Sequence, residues 1–273
     1  MNLDRLLPLL RCLSCGGRLS QEGRFLVCLR CGERFPLADD IPVMLREDPE
    51  DKTWEDYFRR VSKKTGDSEA ANSYVSRNNF HFIRDQLLRF IGRVRDKAIL
   101  DVGCGTGHFS QPLARDNLLV GVDISLEMLA YARKKGLAVV QSSGKRLPFE
   151  AASFDLVIAT SVIQSIQAGG SFVSELGRVT KPGGRLIVTT TNGQNLSLAF
   201  FKAVERKKYA HLKTYTTEEI RSYFRAARCP VESLLFLFFP LGLARKVRTN
   251  EPLGPLTKRL ATTLAVEGRK PKE

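Results

Sequence analysis

Between residues 98 and 191, apolar runs rich in β-branched residues recur at intervals: AILDV at 98–102, LLVGV at 118–122, LAVVQ at 137–141, FDLVIAT at 154–160 and RLIVTTT at 185–191. Near-continuous rather than alternating apolar runs are those of strands covered on both faces. Helical patterns such as LEMLAYARKK separate them. Strand–helix alternation of this kind predicts a parallel sheet flanked by helices, an α/β class. The runs PVESLLFLFF and ATTLAVEGRK supply two final strands, with LARKVRTNEPLGPLTKRL inserted between them. Residues 49–97, containing WEDYFRRVSKK and NFHFIRDQLLRFIG, read as a linker followed by helices.

The first residues have a different texture. CLSCGGRLSQEGRFLVCLRCGERF, residues 12–35, holds two Cys-x-x-Cys pairs with twelve residues between Cys15 and Cys28. Gly16-Gly17 and Glu22-Gly23 mark turns, and RFLVC is strand-like, so the intervening stretch is a hairpin that brings the pairs together. Cys12, Cys15, Cys28 and Cys31 are therefore expected to bind Zn²⁺. Four thiolates leave no coordination position for water, which makes the metal structural. A module of this size needs such a staple, because its own core is too small to hold it.

The 273 residues suffice for one α/β domain plus a small accessory module. No secretion-signal pattern opens the sequence, and its longest apolar run, Leu234–Ala244, falls short of the ~20 residues that cross a bilayer. A soluble, cytoplasmic protein is expected. Six cysteines in that setting argue against a disulfide framework. The net charge of +14 is uneven: residues 201–273 hold sixteen lysines and arginines against seven acids. Such a surplus favours anionic partners, RNA or an acidic membrane surface, or else forms a solvated face.

The second motif is KAILDVGCGTGHFSQPLA, a strand, a glycine turn and a helix beginning near Phe109. Gly103, Gly105 and Gly107 allow positive φ and close backbone approach to a ligand. The next strand ends in Asp123, about where a ribose diol is held in such folds, although an acid there can also cap the following helix.

With LDVGCGTG, GVDIS, RLPFEAASFDLVIAT and ELGRVTKPGGRLIVTT in order, the chain from Ala98 to Lys270 resembles the class I S-adenosylmethionine-dependent methyltransferases, and HLKTYTTEEI is similar to a segment of their quinone, sterol and natural-product members. The resemblance implies a Rossmann-like seven-stranded sheet binding S-adenosyl-L-methionine, with the helices of 49–97 as a lid. It carries Asp101, Gly103, Cys104, Gly105, Gly107, Asp123 and Ile124 to the cofactor, Ile124 against the adenine. The family commonly has an acid bonding the adenine amino group where this sequence has Ser143, followed by Gly144. From Leu7 to Leu45, with DDIPVML at its end, the chain resembles small zinc-ribbon proteins that partner and activate methyltransferases. The implied organisation is a ribbon over 1–48, linker and lid over 49–97, and a catalytic domain over 98–273.

No catalytic side chain is singled out. His211 is a candidate base or orienting group, His108 a helix cap, and Gln164 and Ser165 candidate pocket residues. The absence of an Asn/Asp-Pro-Pro-aromatic motif and of a Pro-Cys pair argues against methylation of exocyclic base amines and of pyrimidine C5. The preferred acceptor is small or lipid-like, with SLLFLFFPLGLARKVR offering peripheral membrane contact. The alternatives are an rRNA base of the guanine-N1 type, favoured by the basic last quarter, and a cofactor-binding but non-catalytic subunit. The ribbon is expected to dock a protein partner or to present substrate.

Overall fold

The computed structural model describes residues 2–69, 77–196, 213–238, 242–248 and 254–272. A short helix α1 (Asn2–Leu6) leads into a four-stranded antiparallel ribbon of β1 (Leu19–Glu22), β2 (Phe25–Cys28), β3 (Arg34–Ala38) and β4 (Ile41–Pro42). Gly23 turns the first hairpin at φ 59°. Two helices follow. The first, α2 (Pro49–Thr65), is capped by Asp48, whose carboxylate accepts from Glu50 N (2.9 Å) and Asp51 N (3.0 Å), and it ends at Gly66. The second is α3 (Arg77–Ile91).

The large sheet begins at β5 (Ala98–Val102) and continues through β6 (Leu118–Asp123), α4 (Leu126–Lys134), β7 (Ala138–Gln141), β8 (Phe154–Thr160), α5 (Gly169–Val179) and β9 (Thr180–Thr191). Then come α6 (Thr217–Ala226), β10 (Val231–Phe238), β11 (Leu243–Arg248), α7 (Pro255–Leu260) and β12 (Thr263–Arg269). The order across the sheet is β11-β10-β12-β9-β8-β5-β6-β7. Pairings from β7 to β9 are parallel, while β12 runs antiparallel to both β9 and β10. Glycine loop and β6 terminus therefore open at the same end of adjacent central strands, where ligands bind in open parallel sheets.

Three expectations need correction. The helix expected near Phe109 is a 3-10 turn, Gln111–Asp116, with Pro112 in its first turn. LARKVR, read as part of an insertion into a seven-stranded sheet, is itself a strand: β11 pairs with β10 from Ser233–Arg248 to Phe238–Leu243 and makes eight. The first part of the apolar run does not meet a lipid surface, because Leu234, Leu235, Phe236 and Leu237 of β10 are buried, whereas Leu243 is exposed and residues 239–241 lie outside the described residues. No helix among the described residues is long and apolar enough to cross a membrane.

The ribbon sits on the open edge of the large sheet. Met44 N donates to Gln141 O (2.8 Å) and Val43 bridges Gln141 in parallel fashion, so the chain after β4 extends the sheet beyond β7. Leu10 bridges Phe149, and Arg11 N donates to Pro148 O (2.8 Å). Leu6, Leu10, Leu26 and Met44 share one buried apolar core with Val122, Val140 and Phe149. An edge that would otherwise present unpaired backbone groups is thereby covered.

Candidate functional site

The glycine loop leaves β5 with its first two amides, Gly103 N and Cys104 N, donating to Val122 O at 2.7 and 3.1 Å. Gly103 takes φ 72°, and a Cβ there would stand 2.2 Å from Val162 Cγ2, so both backbone and packing demand glycine. Asp123 clamps the loop: its Oδ2 accepts from Gly105 N and its Oδ1 from Ser125 N, each at 2.9 Å. The cap of α4 is Ser125, whose Oγ accepts from Met128 N at 3.3 Å, which leaves Asp123 to the loop. Burial raises the Asp123 carboxyl, opposed by those amides.

Asp101 is different. It is 1% exposed, and neither its oxygens nor Ser110 Oγ beside it makes a hydrogen bond. Burial pushes its carboxyl up to about 7; proximity of the Ser110 hydroxyl offsets part of this, and the Asp123 charge adds to it. A buried carboxylate without a partner is costly unless a cation or donor completes it.

One cavity is lined by Asp101, Gly103, Cys104 and Gly105 together with Asp123, Ile124, Ser143 and Gly144. Gly107 does not line it; a Cβ there would press on Ala132 and Leu137, so glycine lets the loop pack closely on α4. Cys104 is buried under Gly121, and burial pushes its thiol well up, which removes it as a nucleophile.

Sequence reasoning expected a lid from the helices of 49–97 but named none of its side chains. Asp51, Trp54 and Phe58 of α2 and Phe80, Ile83 and Arg84 of α3 close over the cavity. The Trp54 and Phe58 rings stack 5.9 Å apart at 27°. The N-terminus of α2 is fixed by Lys145, whose Nζ meets Asp48 Oδ1 (2.6 Å), Asp51 Oδ1 (3.0 Å) and Glu50 Oε2 (3.2 Å). Glu50 Oε1 also accepts from Gln167 N (2.8 Å). Beyond the other end of the helix, Asp67 meets His108 Nε2 (3.0 Å) and pairs with Lys135. His108 is thus an anchor for the roof and does not cap a helix. Ser165 lines the cavity, whereas Gln164 is buried behind it, and His211 lies outside the described residues.

In the ribbon, the Sγ atoms of Cys12, Cys15, Cys28 and Cys31 all lie within 4.8 Å of one another. Cys15 is 3.4 Å from both Cys28 and Cys31, and Cys12 is 3.7 Å from Cys31. Zn–S bonds of about 2.3 Å in a tetrahedron require S–S edges of about 3.8 Å. Gly17 N and Arg30 N point at the sulfurs of Cys15 and Cys28, both at 3.4 Å. Cluster geometry and donor set fit a closed structural Zn²⁺ site.

Residues 100–188 match a family model described as "Methyltransferase domain". Over 131 residues the chain is 33% identical to malonyl-(acyl-carrier protein) O-methyltransferase of Legionella pneumophila, which covers 45% of this chain and 46% of that one. Over 151 residues it is 32% identical to demethylmenaquinone methyltransferase of Beutenbergia cavernae, covering 54% of this chain and 60% of that one. The chain spans about half the length of the curated relatives it matches. Its fold is like that in a solved complex between the Haloferax volcanii Trm112 methyltransferase activator and a methyltransferase, with TM-score 0.56 and 19% identity over 83% of this chain and 99% of that one. Strand order, the glycine loop's position and the matched segment agree, and the chain has the class I S-adenosylmethionine-dependent methyltransferase fold, preceded by a four-cysteine cluster able to hold a metal ion.

Proposed function

We propose that the protein is a methyltransferase that moves the methyl group of S-adenosyl-L-methionine to a small, largely apolar aromatic acceptor. The carrying observation is the cavity itself: it runs from the glycine loop under a roof whose walls are Trp54, Phe58, Phe80 and Ile83. Such walls suit a flat apolar molecule. The name of one relative, demethylmenaquinone methyltransferase, supports an acceptor of this kind.

The residues present fit the cofactor. Its amino acid end carries an ammonium group beside a sulfonium, and the unpartnered Asp101 carboxylate supplies the anion such a cation needs. Asp123, fixed by two amides, is placed for a ribose diol, with Ile124, Ser143 and Gly144 around the base. When bound, the cofactor supplies a methyl group already activated on sulfur. The chain's task is to hold the acceptor in line and keep water out, and the roof over the cavity does both. Among the described residues lining the cavity there is no histidine, so we assign no side-chain base.

The ribbon over 1–48 is read as a Zn²⁺-stapled cover for the β7 edge, the stretch 49–97 as the roof, and 98–273 as the domain that binds the cofactor. Leu29, 69% exposed beside the cysteine cluster, and Phe25 give the ribbon an outer face for a protein partner. The likeness to a methyltransferase solved with an activator supports that role.

The test is incubation of the purified chain with methyl-labelled cofactor and cell extract, followed by partition of the label. Label in organic-extractable small molecules is the expected result. Nuclease-sensitive label would instead assign RNA as the acceptor, with the exposed Arg245, Lys246 and Arg248 of β11 as its contacts. Cofactor binding without any labelled product would make the chain a non-catalytic subunit.

A further inference from the structure

The far end of the cavity, beyond Asp123 and Ile124, is where the base of a nucleoside held by its ribose must lie. A buried base edge needs its donors and acceptors answered. The loop there offers little. Ser143 Oγ already accepts from Lys145 N (3.2 Å), and Gly144 has no side chain; a Cβ would stand 2.8 Å from Phe172 and 2.9 Å from Val102. The carboxylate at this end comes from another part of the chain. Asp51, in the first turn of α2, is 8% exposed and lines the cavity with Ser143. Its Oδ1 meets Lys145 Nζ at 3.0 Å, and the Ser143 hydroxyl also bonds the carboxylate. A carboxylate has roughly four lone-pair sites, so these two donors do not exhaust it.

Two further facts make Asp51 more than a helix-start acid. Asp48 already caps α2, so Asp51 is not needed as the cap. Lys145 also holds Asp48 and Glu50, so its charge is balanced without Asp51. The remaining lone pairs of this third carboxylate, at the wall of the cavity, are open to a donor from inside it. The exocyclic amine of adenine is such a donor.

We infer that Asp51 is a specificity-determining residue of the cofactor site, accepting a hydrogen bond from the 6-amino group of the adenine ring in the place where the Ser143 loop supplies no carboxylate. This rests on the cofactor reading above and deepens it. The consequence is that the nucleoside site is completed by the roof: residues 98–273 alone contain the glycine loop and Asp123 but lack the group that reads the base.

The experiment is calorimetric binding to the full-length, zinc-loaded chain of two ligands that differ only at that position, S-adenosylhomocysteine and its 6-deamino purine analogue. The second carries a hydrogen in place of the amine. Wild type is expected to prefer the adenosyl ligand by roughly ten- to a hundredfold, the range for a hydrogen bond to a charged group. Asp51→Asn, nearly isosteric and able to donate, should collapse that ratio toward unity or invert it. Lys145→Met, which loosens the roof but keeps the carboxylate, should weaken both ligands and preserve the ratio. If Asp51→Asn weakens both ligands equally, Asp51 only fastens α2 and the inference is overturned. If wild type binds neither ligand, the cofactor reading itself falls, an outcome distinct from an unchanged ratio.

Discussion

Asp101 carries a prediction that runs against intuition: removing a charged residue from the heart of the candidate site should stabilise the ligand-free protein. Burial moves its carboxyl from an ordinary 3.8 up to about 7. Roughly three pH units at 1.36 kcal/mol each put the cost of ionising it in place at about 4 kcal/mol. Because the folded form keeps this proton to near pH 7 while the unfolded chain releases it near pH 4, the folded state binds more protons between those values. Stability therefore falls as pH rises through that window and is flat above it. Asp101→Asn removes the slope. At pH 8 the variant should recover the ~4 kcal/mol, less about 1–3 kcal/mol for an amide N–H left without an acceptor, a net gain of about 1–3 kcal/mol. Urea unfolding of both proteins at pH 4, 6 and 8 without ligand measures this directly. With saturating S-adenosylhomocysteine the order should reverse, since only the carboxylate answers the ligand's ammonium group. Parallel pH profiles for the two proteins, or an Asn variant weaker than wild type at pH 8, would refute the reasoning.

Two further outcomes follow from the packing. Gly103→Ala meets Val162 Cγ2 at 2.2 Å with φ at 72°, so it should lose at least about 2 kcal/mol of stability and its binding of S-adenosylhomocysteine; adding Val162→Ala should recover part of the stability and little of the binding, read by thermal denaturation and calorimetry. Chelating the ribbon's metal should lower the melting temperature of the entire chain in one transition, because Leu10, Leu26 and Met44 share a core with the sheet; a separate low-temperature transition with the main one unmoved would show that the ribbon folds alone.

The central strands were legible because a strand covered on both faces must be largely apolar, and the runs ending at Val102, Asp123, Gln141 and Thr160 are, Asp101 and Asp155 apart. The cysteine pairs were legible because four thiolates at that spacing have few other uses. What could not be read is what depends on distant packing. LARKVR has only one buried residue, Val247, and its pairing with β10 supplies the order that its own composition does not. WEDYFRR shows helical spacing, but no local signal says that Asp51, Trp54 and Phe58 face a cavity whose floor lies fifty to ninety residues on. Gly107 was read with its neighbours as a ligand contact, and nothing in the sequence signals its close packing against Ala132 and Leu137.

The seam between Met44 and Gln141 also has a history in time. A ribosome adds some 5–20 residues per second, and 97 residues separate the two partners. For several seconds, then, the ribbon's residues are made with Leu10 and Met44 bare, waiting for β7. During that interval the same apolar residues are open to any chaperone, and to a second nascent copy on the same message. The β7 edge has the opposite exposure: when it emerges, the segment that covers it is already made and tethered nearby, so its unpaired backbone is short-lived. Synthesis in this order puts the waiting on the module with the four-cysteine cluster.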